Sequence, residues 1–547
     1  MNTRAGLFAL ALISLVTLAH AAHIGPTAVQ PVAAVYLVSD GQGASVNVTV
    51  TRNPQAYNPM PRFLLRVFDP DERMIHWRYV EYHTADTLPD VQPHEGIELP
   101  VVEEPPAANE LLHEVTLALN QPGVYQVRIS TSSREVLLDI DSDRELGYGI
   151  SCQNADYLPW PEQAPEAFVW VPPHAEVVQL RGGPYTVMDE TGRTIADLPT
   201  KGSAEVTVAQ TEVTWRVRFP DPVSWSLRAA GMPFILCNTD QAARDIHASV
   251  EVLPDGTVVC HKFQARIAAL LPEILSEENV GRTEDLIENL ADRRDAWLAD
   301  PLRNVILTKA FPSVIEKWLR AQNLDPTGHW GGSLDGWQNK IDAAPPENRW
   351  DRLHGIEGLR AGASSDYGHA AHHLAIAATY DHPTNPYFGK RELLYRAAAA
   401  ALRDLMVLQE DETWPGIADL DPYPGMMAFP AAQKTLPVFA VAAPHLPDEV
   451  RAVWTEGLRR MTDRHYPDGL TSARNQSSHY LVANQAFADG AGDPVYQDLA
   501  RLYGARFLRA QSPPGYDMEA CGPCGSYIGM THWHQAVYWR MSGDPDI

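Results

Sequence analysis

The sequence predicts a multidomain chain in which N-terminal β-sandwich-like domains precede an all-α (α/α)n toroid. Three observations carry that expectation. Up to about residue 260 the chain holds short alternating runs cut by Gly, Pro, Asp and Asn. After His261 apolar residues instead recur every three to four positions. About ten such helical runs then follow one another with no strand pattern between them, which favours stacked or closed helical hairpins.

Residues 1–21 read as a secretory signal. Arg4 supplies the positive charge, Leu7 to Leu18 the apolar stretch, and Ala19-His20-Ala21 the small-residue cleavage site. The apolar stretch is too short to span a bilayer, so the protein is expected in the periplasm or outside the cell.

The first β-sandwich is expected over 22–145. Its strand runs include Ala44–Val50, Phe63–Phe68 and Gly123–Ile129, and their spacing suits an antiparallel sandwich. A second β-rich domain is expected over 146–262. It contains Ala204–Ala209, Val213–Phe219 and a hairpin from Val250 to Val259 that turns at Pro254-Asp255-Gly256.

The helical domain is expected over 263–547. Its predicted helices are Ala265–Leu275, Thr283–Leu298, Phe311–Ala321, Tyr367–Tyr380, Arg391–Gln409, Ala431–Ala443, Asp448–Arg464, Gln476–Asp489, Pro494–Ala510 and Tyr527–Met541. The stop at Asp546-Ile547, straight after a helix and a turn, points to a chain cut short.

Composition narrows the function. With 547 residues, 45% hydrophobic and 20% charged, the chain is neither disordered nor a multi-span membrane protein. Its net charge of −26 argues against nucleic acid as a partner, because phosphate binding needs a basic footprint. A polyanionic substrate is still compatible, since a small basic cleft can sit in an acidic shell. The five cysteines, Cys152, Cys237, Cys260, Cys521 and Cys524, leave at least one thiol without a disulfide. Cys521-Gly-Pro-Cys524 has redox-motif spacing but lacks a thioredoxin-like surrounding pattern. A local disulfide or two buried thiols is the simpler reading.

Candidate chemistry lies in the helical region. The stretch His329-Trp330-Gly-Gly-Ser-Leu-Asp335-Gly-Trp337 offers Trp330 and Trp337 as flat apolar faces beside polar groups, which is what sugar rings need. Ordinary core tryptophans fit the same composition. At one helix start Asn475 and His479 stand four apart and share a face, with Arg474 and Tyr480 beside them. Farther on, Glu519-Ala-Cys-Gly-Pro-Cys-Gly-Ser-Tyr527 is a Gly-rich loop running into a helix that carries His532 and His534. Capped helix starts with satisfied side chains would use the same residue types.

Asn-x-x-x-His at a helix start, the later Gly-Ser-Tyr loop and helices following β-rich domains together resemble the toroid-type polysaccharide lyases. These include the alginate lyases and the heparinase II/III-like enzymes. The similarity covers mainly residues 300–541 and lies in motif style and domain order. It implies β-elimination on a uronic-acid-containing glycan. Asn475 and His479 would then face the uronate carboxylate and the α-proton, while Tyr527 serves as acid or base.

The physical chemistry suits those residues. A weakly acidic proton beside a carboxylate leaves only once the carboxylate is neutralised, and amide and imidazole donors can do that. Either His479 or Tyr527 qualifies by type as the base. Tyr527 or Tyr480 can return a proton to the leaving O4, and Arg474 can pair with the carboxylate. The chemistry requires no metal or cofactor. Two features depart from the family: the C-terminal β-sheet domain is missing, and the β-rich region is entirely N-terminal.

A third cluster is Asp366-Tyr367-Gly-His369-Ala-Ala-His372-His373. Its His pair at i, i+4 has metal-binding spacing but lacks a third ligand, so a hydrogen-bonded cluster or a wall of the substrate cleft fits better. Asp366, His369, Glu519 and His532 are accordingly expected to line the substrate site. Two further readings stand beside the lyase. A glycoside hydrolase would need two carboxylates, with Asp335, Glu357, Asp366, Asp419 and Glu519 as candidates. A glycan-binding surface protein would need none.

Overall fold

The computed structural model describes residues 23–28, 32–56, 58–71, 73–87, 96–131, 135–151, 166–171, 177–220, 226–230, 235–247, 251–252, 258–259, 262–288, 311–325, 334, 366–381, 385–413, 438–464, 474–510 and 525–545. The predicted signal segment lies outside them.

Among the described residues there are twenty strands, all of them before residue 260. They are β1 His23–Ala28, β2 Val32–Asp40, β3 Ala44–Arg52, β4 Arg62–Phe68, β5 Met74–Glu81, β6 Ile97–Glu98 and β7 Leu111–Leu119. Next are β8 Pro122–Thr131, β9 Val136–Ser142, β10 Gly147–Ser151, β11 Glu166–Val171, β12 Val177–Gly183, β13 Tyr185–Met188 and β14 Thr194–Leu198. The last are β15 Gly202–Thr207, β16 Val213–Arg218, β17 Ser226–Ala230, β18 Ile235–Cys237, β19 Glu251–Val252 and β20 Val258–Val259.

The strands make four sheets. A four-stranded sheet runs β1-β9-β3-β7, and a three-stranded one runs β15-β12-β17. The largest has eleven strands in the order β14-β13-β16-β11-β18-β10-β2-β8-β4-β5-β6. The β19–β20 pair is the hairpin expected over 250–259.

The eleven-stranded sheet passes through both β-rich stretches. β10 is the splice: it pairs antiparallel with β2 on one side and with β18 on the other. Gly149 makes this possible, because a Cβ there would lie 2.7 Å from the Ile235 side chain and 2.9 Å from Cys237 Sγ. Cys237 is fully buried. The other four cysteines lie outside the described residues. One hydrophobic core accordingly runs from Ile24 to Leu236 and draws on both stretches.

β3 alternates buried and half-buried residues from Ala44 to Val50, as a strand with one solvent face should. β4 does not alternate. Phe63, Leu65 and Val67 point into the sandwich core, while Leu64 on the opposite face joins the core of the helical region. A strand buried on both faces reads as a continuous apolar run, which explains Phe63-Leu-Leu-Arg-Val-Phe68.

The described helices are α1 Asp240–His247, α2 Lys262–Ile274, α3 Phe311–Ala321, α4 over 366–379, α5 Arg391–Thr413, α6 Asp448–Arg464, α7 Arg474–Ala491, α8 Pro494–Ala510 and α9 Gly525–Ser542, with shorter turns between. The described helices after His261 fall where apolar spacing puts them; residues 289–298 and 431–437 of two predicted helices lie outside the described residues. α1, at the end of the second β-rich stretch, was not anticipated. It packs against β10, β11 and β18.

Among the described residues these helices do not form an all-α toroid, and that expectation is corrected. Their core takes in Leu64, Tyr79 and Ile97 from β4, β5 and β6. The helices therefore share their core with three side chains of the sheet instead of closing only on one another. Helical periodicity identifies a buried stripe but not its partner, and here part of the partner is a strand.

Within the helical layer, α7 packs against α6, α8 and α9, and α5 packs against α2 and α6. The Arg266 guanidinium donates to both carboxylate oxygens of Glu456, at 2.9 and 2.8 Å, which ties α2 to α6. Arg396 is fully buried on α5 and donates to the carbonyls of Val280 (2.8 Å), Gly281 (2.9 Å) and Leu319 (3.3 Å). Burial pulls its pKa down to about 10, so it stays charged at neutral pH.

Candidate functional site: the seam between α7 and α9

α7 carries Arg474, Asn475, His479 and Tyr480 in its first two turns. α9 carries Tyr527, His532 and His534. The two helices lie against each other. In the seam, Ser478 Oγ and His534 Nδ1 share a hydrogen bond of 2.8 Å, both side chains being buried.

The stripes meeting there follow from helix spacing. On α9, Thr531, His534 and Tyr538 are all buried, and Tyr527 stands four residues before Thr531 on the same stripe. On α7, Asn475 stands three residues before the buried Ser478. With a rise of about 1.5 Å per residue, Tyr527 is roughly 10 Å along α9 from His534, and Asn475 about 4.5 Å along α7 from Ser478. The side chains of Arg474, Asn475, His479, Tyr480 and Tyr527 lie outside the described residues.

Burial drives the His534 pKa down to about 4, so its imidazole is neutral at physiological pH. His532 has a different place: it is exposed on α9 together with Ala536, Trp539 and Arg540, and Trp539 is 55% exposed. These four positions sit at i, i+4, i+7 and i+8 and so share a face. A flat indole with an imidazole and a guanidinium on the same face, and only a methyl group between, offers a surface of the kind a sugar ring can stack on.

The third predicted cluster, on α4, forms a hydrogen-bonded group with α3. Trp318 Nε1 of α3 donates to His373 Nδ1 at 3.2 Å, and their rings stack with centroids 6.5 Å apart. His369 stacks on His373 at 6.0 Å. Nδ1 of His373 accepts from the indole, and the i, i+4 pair stacks ring on ring. Asp366 and His369 are both half-buried in α4.

Beside them Tyr367 is buried, bonded to the Arg403 guanidinium and to the backbone of Leu334, and burial raises its pKa. Leu334 also bridges to Gln322. It lies in sequence between Trp330 and Trp337, which fall outside the described residues, as do Asp335, Glu357, Asp419 and Glu519.

A cleft of about 440 Å³ opens between the β4–β5 turn and α6, lined by Arg73, Met74, Asp448, Arg451, Thr455 and Glu456 among others. None of the predicted site residues is among its lining residues. Ser478 escaped the sequence reading because a serine near a helix start is usually a cap. The available signal was polar residues at buried stripe positions, Ser478 on α7 and Thr531 and His534 on α9. Among the described residues, no helix is long and apolar enough to cross a membrane.

No family profile and no curated protein matches this chain. A solved structure of tripeptidyl peptidase 2 aligns with 89% of the chain and 49% of its own length, at 8% identity and a TM-score of 0.14. The chain thus spans about half of that structure, and similarity at this level carries no argument about fold or activity.

Proposed function

We propose that the protein is an exported polysaccharide lyase that cleaves a uronate-containing glycan by β-elimination, with its site along the α7–α9 seam. The observation that carries this reading is the Ser478–His534 contact, which fixes α7 against α9. The helices bearing Asn475, His479 and Tyr527 thus pack against each other with a buried hydrogen bond between them. The exposed His532, Trp539 and Arg540 face of α9 adds a surface suited to an acidic sugar.

In the proposed reaction Asn475 and His479 neutralise the uronate carboxylate, which lowers the pKa of the α-proton. His479 or Tyr527 removes that proton. Its electron pair forms the ring double bond while the bond to the glycosidic O4 breaks. Tyr527 or Tyr480 then supplies a proton to the departing oxygen, and Arg474 holds the carboxylate.

The test is ultraviolet absorbance of the unsaturated uronate while the protein meets alginate, heparan sulfate, chondroitin sulfate, hyaluronan, ulvan and pectin. A rise that His479→Ala and Tyr527→Phe both abolish is the expected result. A flat trace with release of reducing ends would identify hydrolysis instead. Retention of glycan with neither product would identify a binding protein.

A further inference from the structure

Far from that seam in sequence, β1 and β9 bring three metal-binding side chains together. We propose that His23, Asp139 and Asp141 bind a divalent transition cation of the zinc or manganese type, which clips the edge strand β1 onto the four-stranded sheet.

The ligand set arises from strand geometry. Asp139 and Asp141 are two apart on β9, so both leave the same face of the sheet. In the antiparallel register His23 stands directly opposite Asp141. Its Nδ1 lies 2.7 Å from Asp141 Oδ1 and 3.5 Å from Asp139 Oδ1. One donor atom from each residue falls within 4.8 Å of the other two. Zinc with bonds of about 2.0–2.2 Å to nitrogen and oxygen needs ligand atoms somewhat over 3 Å apart, which small side-chain rotations supply.

Two observations separate this group from an ordinary acidic surface. Asp139 Oδ1 is closed off from solvent and accepts no hydrogen bond, an arrangement that is costly for a carboxylate unless a cation sits beside it. Moreover, neither carboxylate pairs with Lys or Arg among the described residues; the basic side chain beside both is His23. Asn47, across from Asp141 on β3, is committed elsewhere, donating to Glu114 and accepting from Thr116.

The backbone keeps the space open. Gly25, at φ +128°, has no side chain where a Cβ would come within 2.9 Å of Asp139 Oδ1 and 2.6 Å of the Leu138 carbonyl. A register shift between Ile24 and Thr27 lies at the same point, the kind of irregularity that re-aims side chains near a site. His23 and Asp141 are about half exposed, 49% and 56%, so water can complete the coordination shell. Imidazole plus carboxylate suits zinc, manganese, cobalt or nickel better than calcium or magnesium. On binding, the cation displaces the proton shared by His23 and Asp141, and that proton goes to solvent.

The experiment is calorimetric titration of the chelator-treated, full chain with ZnCl₂, repeated on Asp139→Asn, Asp141→Asn and His23→Gln. One equivalent is expected to bind to the parent, with affinity reduced at least tenfold in each variant, in line with losses seen even for supporting residues around metals. Co²⁺ loading gives a second readout, a visible absorption band that the same variants abolish. Unaltered far-UV circular dichroism certifies each fold, and exposed Asp141 provides a variant that folds even if Asp139→Asn does not. Absence of one-equivalent binding, or equal binding by parent and variants, overturns the site. Because these strands bear none of the residues proposed for elimination, either result leaves the lyase assay readable.

Discussion

Ser478 Oγ and His534 Nδ1 meet at 2.8 Å inside a helix pair that is closed to water at that point. Replacing Ser478 by Ala removes this buried hydrogen bond. The expected loss is about 1–3 kcal/mol, read as a lower urea midpoint at unchanged slope. An unchanged midpoint would mean that the seam does not depend on this bond.

The same histidine sets an acid limit on stability. Burial lowers its pKa from the ordinary 6.5 to about 4. The unfolded chain therefore takes up a proton that the folded chain refuses as the pH falls. The sign is destabilising with falling pH: stability is lost from about pH 6.5 down to about 4, by on the order of 3 kcal/mol, and levels off below. His76 is also lowered to about 4, chiefly by burial, and acts in the same window. Urea melts of His534→Gln and the parent at pH 7 and pH 4.5 isolate the His534 share. The gap between the two proteins should narrow at the lower pH.

Arg396 gathers three carbonyls from two other segments of the chain. Arg396→Met fills similar space but leaves those acceptors unpaired in the interior. The expected cost is roughly 3 kcal/mol or more. Arg396→Lys should recover only part of it, since one ammonium cannot reproduce the planar fork. Calorimetric melting temperatures of both variants check the order parent, Lys, Met.

Leu64 belongs to the sheet by its backbone and to the helical core by its side chain. Leu64→Ala should cost about 2–5 kcal/mol. Because the cavity opens between sheet and helices, both should melt together at a lower temperature. A scan in which only one of two separate transitions moves would show that the two layers unfold independently.

Much of the local structure was readable from the sequence, and the larger arrangement was not. Alternation marked β3, and three-to-four spacing marked α2 and α6, because those patterns are set within a few residues of one another. The pairing of β10 with β18 joins residues 84 to 88 positions apart and leaves no local trace. The apolar run of β4 was read correctly as a strand. Grouping it with the alternating runs was wrong: it is buried on both faces, and Leu64 on the second face joins the core of the helical region. On α7 the positions of Asn475 and His479 in a helix were legible, whereas the Ser478–His534 contact spans 56 residues. For the His369 and His373 pair the sequence pointed to a hydrogen-bonded cluster, but the partner, Trp318 on another helix 55 residues away, left no local trace.

β10, hydrogen-bonded between β2 and β18, also dictates how the protein can be divided. A cut near residue 145 strands it with the C-terminal piece and bares the edge of β2 on the other. Unpaired sheet edges seek any available strand, so each piece alone is prone to aggregate. Produced together, the two pieces carry matching edges and should reassemble by restoring the β2–β10 ladder. The unit that must be kept whole is therefore the ladder that β10 shares with β2 and β18, not either β-rich stretch alone.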